Sequence, residues 1–279
     1  MKTFRKLVYP YCVWLGIFVV VPMLMIMIYA FSQAGNDVTT LSFTFNNFAK
    51  FFDPVFINVF WKSIKIALIT TILCILLGYP LAFIIANSNE KFRATLILLM
   101  TIPQWINMLI RTYSWIGILS EVGLLNNILS FLGLPTVSLL YTDFSVIIGM
   151  VYNFLPYMVL PIYTSLNKLD PNLINASYDL GANRVKTFQK VIFPLSIPGV
   201  MSGIIMVFLP AVSSFVIPKL LGGGQYMLIG SLIENQFITV GEWNFGSAIS
   251  LIMAIIILIS MYVLKKFDKD ITEERGSKA

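Results

Sequence analysis

Few side chains in this 279-residue sequence could carry out covalent chemistry. There is no histidine, which removes the commonest general base and the commonest metal ligand. Zinc enzymes, Ser–His and Cys–His hydrolases, and haem proteins with a histidine axial ligand are disfavoured on that ground. Cys12 and Cys74 lie in apolar runs, at a spacing that makes neither a disulfide framework nor a metal cluster. Ser88-Asn-Glu-Lys91 and Ser165-Leu-Asn-Lys168 fit the S-x-x-K pattern of acyl-transferring serine enzymes, but the companion motifs are missing and both read as chance matches. Gly222-Gly223-Gly224-Gln225 does not fit G-x-x-x-x-G-K-[S/T], so the chain carries no phosphate loop for ATP.

What remains is recognition. Asp143 and Glu234 are candidate acids for a cationic solute, and Trp105, Tyr113 and Trp115 offer ring faces to ammonium groups. The same aromatics also suit the belts that line membrane interfaces, so both readings stand. Arg111 sits within or beside an apolar run and is functional by default. It would repel a cation, so a structural role such as pairing with an acid at a gate fits it better.

The elements that must position these residues are membrane helices. The composition is 58% hydrophobic and 11% charged, against about 45–50% and 25% in soluble domains. A span needs about 20 apolar residues. The uncharged stretches predict six, at about 9–31, 66–87, 94–115, 144–166, 195–217 and 244–264, within one transmembrane domain covering 1–279. Residues 122–142 hold too many turn formers for a seventh and read as a loop with a short interfacial helix. The run from Leu7 to Phe31 is too long for a cleaved signal, although Ser32-Gln33-Ala34 faintly resembles a cleavage site, so a retained helix is expected.

Six spans place fourteen lysines and arginines on the side of both termini, in the N-terminal segment, the loops holding Lys91 and Lys168–Lys190, and the tail. Only Lys50, Lys62 and Lys219 fall on the other. Such a bias puts both termini in the cytoplasm. The outer side then holds Asp37, Asp53, Glu121, Asp143, Glu234 and Glu242, for a net charge of −3 with its three lysines. That charge either attracts a polycation or merely restates the positive-inside rule. Gly199 and Gly203 form a small-xxx-small pair suited to close helix packing.

The cytoplasmic loop 168–194 carries the most information. Asp170 is a good N-cap and Pro171 a good first helical residue, and Gly181 can close the helix in the left-handed conformation. Between them Leu173, Ala176, Ser177 and Leu180 share one small, apolar face. Such a helix can seat in a partner's groove or rest on the membrane surface, and spacing alone does not choose.

The loop resembles the coupling loop of bacterial ABC-importer permeases, whose pattern is Glu-Ala-Ala, three residues, Gly, nine residues and Ile-x-Leu-Pro. Asn175, Ala176 and Ser177 fall at the Glu-Ala-Ala positions, Gly181 at the glycine, and Val191-Ile192-Phe193-Pro194 at the end. Asn replaces the Glu, which puts a fixing salt bridge at that position in doubt and leaves Asp179 as the candidate to compensate. Ile102–Trp115, Val151–Tyr163 and Glu242–Ala248 are similar to segments of B-type permeases from spermidine/putrescine importers, so the resemblance covers nearly the whole chain.

The resemblance implies an all-α polytopic protein with the type I ABC-importer permease fold. It also implies a second, C-type permease subunit, a dimeric cytoplasmic ATPase holding ATP and Mg, and an extracytoplasmic polyamine-binding protein. This chain itself would bind no cofactor, metal or nucleic acid, catalyse nothing, and lie in the bacterial inner-membrane bilayer. Asp170, Pro171, Asn175, Ala176, Ser177, Asp179, Gly181 and Pro194 would form the coupling loop. A permease for another small cation or organic solute, a self-sufficient channel or secondary transporter, and a membrane-embedded enzyme are the competing expectations.

Overall fold

The computed structural model describes residues 2–33, 42–224 and 226–276. Ala34, Asp37 and Gln225, singled out above, and Lys278 of the basic tail lie outside them. The described chain is mostly helical, with no strand beyond a single bridge between Ser32 and Phe43. Among the described residues, five helices are long and apolar enough to cross a membrane, and a bent pair makes the count up to six.

The first, α1, is Tyr9–Ala30, passing through a π-helical turn at Gly16–Val20. The second, α2, runs Pro54–Ala86. It starts twelve residues ahead of the expected 66 because Lys62 and Lys65 are carried inside the helix. Its 33 residues make a rod about 50 Å long, well beyond the hydrocarbon thickness of about 30 Å.

The third expected span, 94–115, is not one rod. Glu90–Trp105 (α3) and Met108–Phe131 meet at 94°. Pro103 in the last turn of α3 withdraws a backbone donor. Ile106 and Asn107 are then extended, and the Asn107 side chain accepts from the Leu109 amide at 2.8 Å to start α4, Met108–Leu119. A further short helix, Leu124–Phe131, occupies the 122–142 stretch.

Asp143–Asn167 (α5) is the most enclosed of the spans, with 61% of its apolar window buried. The loop helix α6 is Pro171–Asp179. Arg184–Thr187 and a π turn, Phe188–Ile192, lead into α7, Phe193–Ser213. The fifth span therefore begins earlier than 195 and ends at Ser213, where Ser214 is extended. The last helix, α8, is Trp243–Gly276.

The chain packs as two units, residues 1–60 with 230–259 and residues 61–229 with 260–279. In the first, two asparagine side chains close the end of α1. Asn47 Nδ2 donates to the carbonyls of Ala30 and Ser32 at 3.0 and 2.8 Å. Asn244 Nδ2 donates to those of Tyr29 and Ser32 at 3.1 and 3.0 Å. Lys50 pairs with Glu242 at 3.5 Å, and Phe245 packs edge-on against Phe56. The Glu242–Ala248 segment thus fastens one helix end to another.

In the second unit α5 lies against α2 and α7. Gly78 on α2 faces Met158, and Gly199 and Gly203 on α7 face Pro161, Ser165 and Met158 of α5. A Cβ on Gly199 would stand 2.6 Å from Ser165 Cβ and 2.7 Å from the Pro161 carbonyl oxygen. A Cβ on Gly203 would meet chiefly the Met158 sulfur at 2.5 Å, the end of a flexible side chain. Gly199→Val should therefore cost about 1–3 kcal/mol through overpacking. Thermal unfolding of the purified, detergent-solubilised protein should show a larger loss of midpoint for Gly199→Val than for Gly203→Ala.

Candidate functional site

The 168–194 loop is held by its own capping chemistry. Asp170 accepts from the Asn172 amide at 2.9 Å, and Pro171 follows at the first helical position. At the other end Gly181 has φ +81°, its amide bonds the Tyr178 carbonyl, and the Ala182 amide bonds that of Ser177 at 3.0 Å. This paired closure is the Schellman arrangement. Asn183 then caps the next turn by accepting from the Lys186 amide at 2.9 Å.

One expected docking residue faces the other way. Ser177 is buried, and its hydroxyl shares a 2.8 Å hydrogen bond with that of Thr187 while donating to the Ile174 carbonyl. A serine in the second Ala position therefore ties α6 to the turn that follows it. The outward face is left to Leu173, Ala176 and Leu180, with Leu173 49% and Leu180 89% exposed and Asn175 and Asp179 beside them. An isolated leucine on a surface is ordinary, but Leu173, Tyr178, Leu180 and Val185 stand out together on one short loop.

Behind the loop, aromatic side chains connect it to the long helices. Phe188 of the π turn packs edge-on to Tyr79 and Phe83 of α2, with ring centroids 5.8 and 5.5 Å apart. Tyr79 also meets Phe193 and shares a 2.7 Å hydrogen bond with Ser196, both on α7. Pro194 stands at the start of the same helix. Beside this cluster Arg93 closes the end of α2. Its Nη2 donates to the carbonyls of Ala86 and Ser88 at 3.0 and 3.1 Å, and Nη1 to Asn167 Oδ1 at the end of α5 at 2.8 Å. A guanidinium fork suits this three-way closure of a negative helix end. A groove of about 640 Å³ opens on the α5–α7 pair nearby, lined by Tyr157, Leu160, Thr164, Lys168, Ser202 and Met206 among others.

The five pathway candidates do not line that groove. Trp105, 79% exposed, ends α3 at the bend. Tyr113 is exposed on α4, and Trp115 is half-buried with its ring edge-on to Tyr152 of α5 at 5.5 Å. Asp143 begins α5 and pairs with Lys62 at 3.8 Å. Glu234 is half-buried in the helix Ile229–Asn235, in the other packing unit. Arg111 is half-buried on α4, its Nε sealed from solvent without a hydrogen-bond partner.

Two features escaped the sequence reading. Arg93 had counted only as one more cytoplasmic charge. The other is Tyr226, whose ring lies under the Lys62 ammonium at 3.6 Å from the centroid. Burial, and then the neighbouring Asp143 carboxylate, push the Tyr226 phenol well above its usual value, so it stays protonated. No spacing rule connects positions 62, 143 and 226.

Residues 78–273 match the family described as the binding-protein-dependent transport system inner membrane component. The chain belongs to this family. The match takes in the loop and both helices packed at Gly199. This inner-membrane transport component is 37% identical over 259 residues to the spermidine/putrescine transport system permease protein PotB of Haemophilus influenzae, covering 92% of this chain and 91% of that protein. It is 39% identical over 253 residues to PotB of Escherichia coli K12, covering 90% and 92%. Its fold is also that of a chain in a bacterial ABC transporter importing the acidic polysaccharide alginate, with a TM-score of 0.78 at 20% identity, covering 97% and 96%.

Removing the Ser177 hydroxyl leaves Thr187 buried with one partner fewer, at a cost of about 1–2 kcal/mol. In Ser177→Ala, amide hydrogen exchange over residues 171–187 should rise roughly 5–30-fold. Exchange elsewhere in α5 and α7 should stay unchanged.

Proposed function

We propose that this chain forms half of the translocation pathway of an ATP-driven importer for polyamines such as spermidine and putrescine. The observation that carries the reading is the exposed apolar face of α6, capped at both ends and joined through Phe188 to α2 and α7. A face of Leu173, Ala176 and Leu180 needs a partner in the cytosol, and a groove in an ATPase subunit is the partner it fits. Identity of 37–39% to PotB over nearly the full length supports the polyamine class.

The remaining assignments follow from that reading. Both termini and α6 face the cytoplasm, as the basic residues favour. A dimeric ATPase binds ATP and Mg, this chain binding neither. A second, C-type permease completes the pathway, and an extracytoplasmic binding protein delivers the substrate. The related alginate importer has been crystallised with its oligosaccharide-bound periplasmic protein, which supports a delivered substrate here. Closure of the ATPase pair would push α6, and the aromatic cluster around Phe188 would carry the push into α2 and α7. Arg111, with no acid paired to it among the described residues, would meet one on the partner permease. A self-sufficient channel would move substrate with this chain alone in liposomes, which the present reading does not expect.

The loop gives a direct test in the assembled importer. Within this chain nothing stands within 4 Å of a Cβ on Gly181, so a side chain there meets backbone strain and no internal clash. Gly181→Val should retain ATP hydrolysis while spermidine uptake falls roughly 5–30-fold. Leu180→Asp should cut co-purification of the ATPase, at a cost above about 1 kcal/mol for a central apolar contact. Undiminished uptake in both variants would remove α6 from coupling. Glu234→Gln should lower spermidine uptake in a normally assembled complex, and unchanged uptake removes Glu234 from the pathway.

A further inference from the structure

At the Asp143 end of α5, two side chains from distant parts of the chain flank the ammonium group of a third. Lys62 Nζ lies 3.6 Å from the centre of the Tyr226 ring and 3.8 Å from Asp143 Oδ1. An aromatic face on one side and a carboxylate on the other is how proteins recognise a primary alkylammonium. The lysine supplies the ligand from within.

The receiving half of this arrangement is built, and the ligand half is loose. Tyr226 is only 8% exposed, and its position is fixed from several sides. Ser63 Oγ accepts from the Ile229 amide at 2.8 Å. The Leu221 carbonyl accepts both the Tyr141 amide at 3.0 Å and the Ser145 hydroxyl at 2.9 Å. Gly222 turns tightly enough that any Cβ there would strike the Tyr226 side chain, and Gly223, at φ +76°, packs on the Tyr141 ring. Tyr141 itself holds a φ of 65°, which for a residue with a Cβ persists only where the surroundings impose it. Two of the three glycines that failed as a phosphate loop, Gly222 and Gly223, thus pack against Tyr226 and Tyr141. By contrast, the side chains of Lys62 and Asp143 are 42% and 63% exposed, so an outside ammonium can reach the same two partners.

We propose that Asp143 and Tyr226 form a subsite for a terminal primary ammonium of an alkylamine, and that Lys62 fills it as a tethered competitor until the substrate arrives. The proposal rests on the polyamine reading above for its substrate class. A tethered group acts at an effective concentration in the millimolar range, and the lysine head and an alkylammonium make the same contacts. Lys62 therefore lowers apparent affinity without changing which chemistry is recognised, and a ligand that binds must send the lysine head back to water.

The test uses the purified, assembled importer without its binding protein, titrated calorimetrically with putrescine. Lys62→Met should lower the Kd roughly 3–10-fold by removing the competitor. Asp143→Asn should raise it at least tenfold, and Lys62→Met added to Asp143→Asn should gain nothing further, because the competition needs the carboxylate. Tyr226→Leu should raise the Kd several-fold more than Tyr226→Phe, which keeps a ring face, a pair that decides the matter if Lys62→Met does not assemble. An unchanged or weaker Kd in an assembled Lys62→Met complex, equal Kd values for Tyr226→Phe and Tyr226→Leu, or no binding in any form, would overturn the subsite. Spermidine uptake in cells reads the broader function separately. Binding with this pattern but no uptake would sink the importer reading alone, and uptake without the pattern would sink the subsite alone.

Discussion

Hydrocarbon offers no hydrogen bonds, so each helix end near the membrane must be closed by groups the protein itself supplies. The observed ends obey this with unusual economy of residues. Two asparagine amides hold the last carbonyls of α1. One arginine fork closes α2 and reaches the end of α5. Asn107 restarts a helix at the bend after Pro103, and Thr142 with Ser145 makes a reciprocal cap at the start of α5. Where these closures lie decides which segments are rigid rods and which can turn.

Placed among those closures, the 168–194 loop reads as a lever with a rigid handle. Asp170 and the Gly181 closure fix the length of α6, and the Ser177–Thr187 bond fixes its angle to the next turn. The π turn at Phe188–Ile192 adds a widened ring of backbone at the entry to α7. Phe188, Tyr79, Phe83 and Phe193 then fill the corner between loop, α2 and α7 with stiff planar side chains. A displacement of α6 has few soft places in which to be absorbed.

The parts legible in the sequence were those set by local chemistry or by lipid. The apolar runs lie within a few residues of α1, α5 and the apolar stretch Trp243–Val263 of α8, which itself continues to Gly276. Asp170, Pro171 and Gly181 bounded α6 because capping depends on adjacent residues alone. Charge misled at α2, because a lysine was read as the edge of a span. Lys62 stays inside the helix by laying its head on Tyr226 and Asp143, partners about 160 and 80 positions away. The bend after Pro103 was hidden because several other prolines sit inside unbroken helices, Pro80, Pro156, Pro161 and Pro198 among them. Only the extended pair Ile106–Asn107 distinguishes it. Ser177 lies on the border of its helical face, and the choice of side was made by Thr187.

One consequence concerns the order in which the chain is made. None of the apolar window of α1 is buried inside the protein, so lipid alone can satisfy its sides as soon as it leaves the ribosome. Its end cannot be finished so early. Asn47 follows shortly, but Asn244 lies 212 positions beyond Ser32, on α8, and it bonds the same Ser32 carbonyl. The latch on α1 is therefore thrown by a residue made long after it, and a nascent protein that stalls before residue 244 leaves α1 inserted yet not fully fastened.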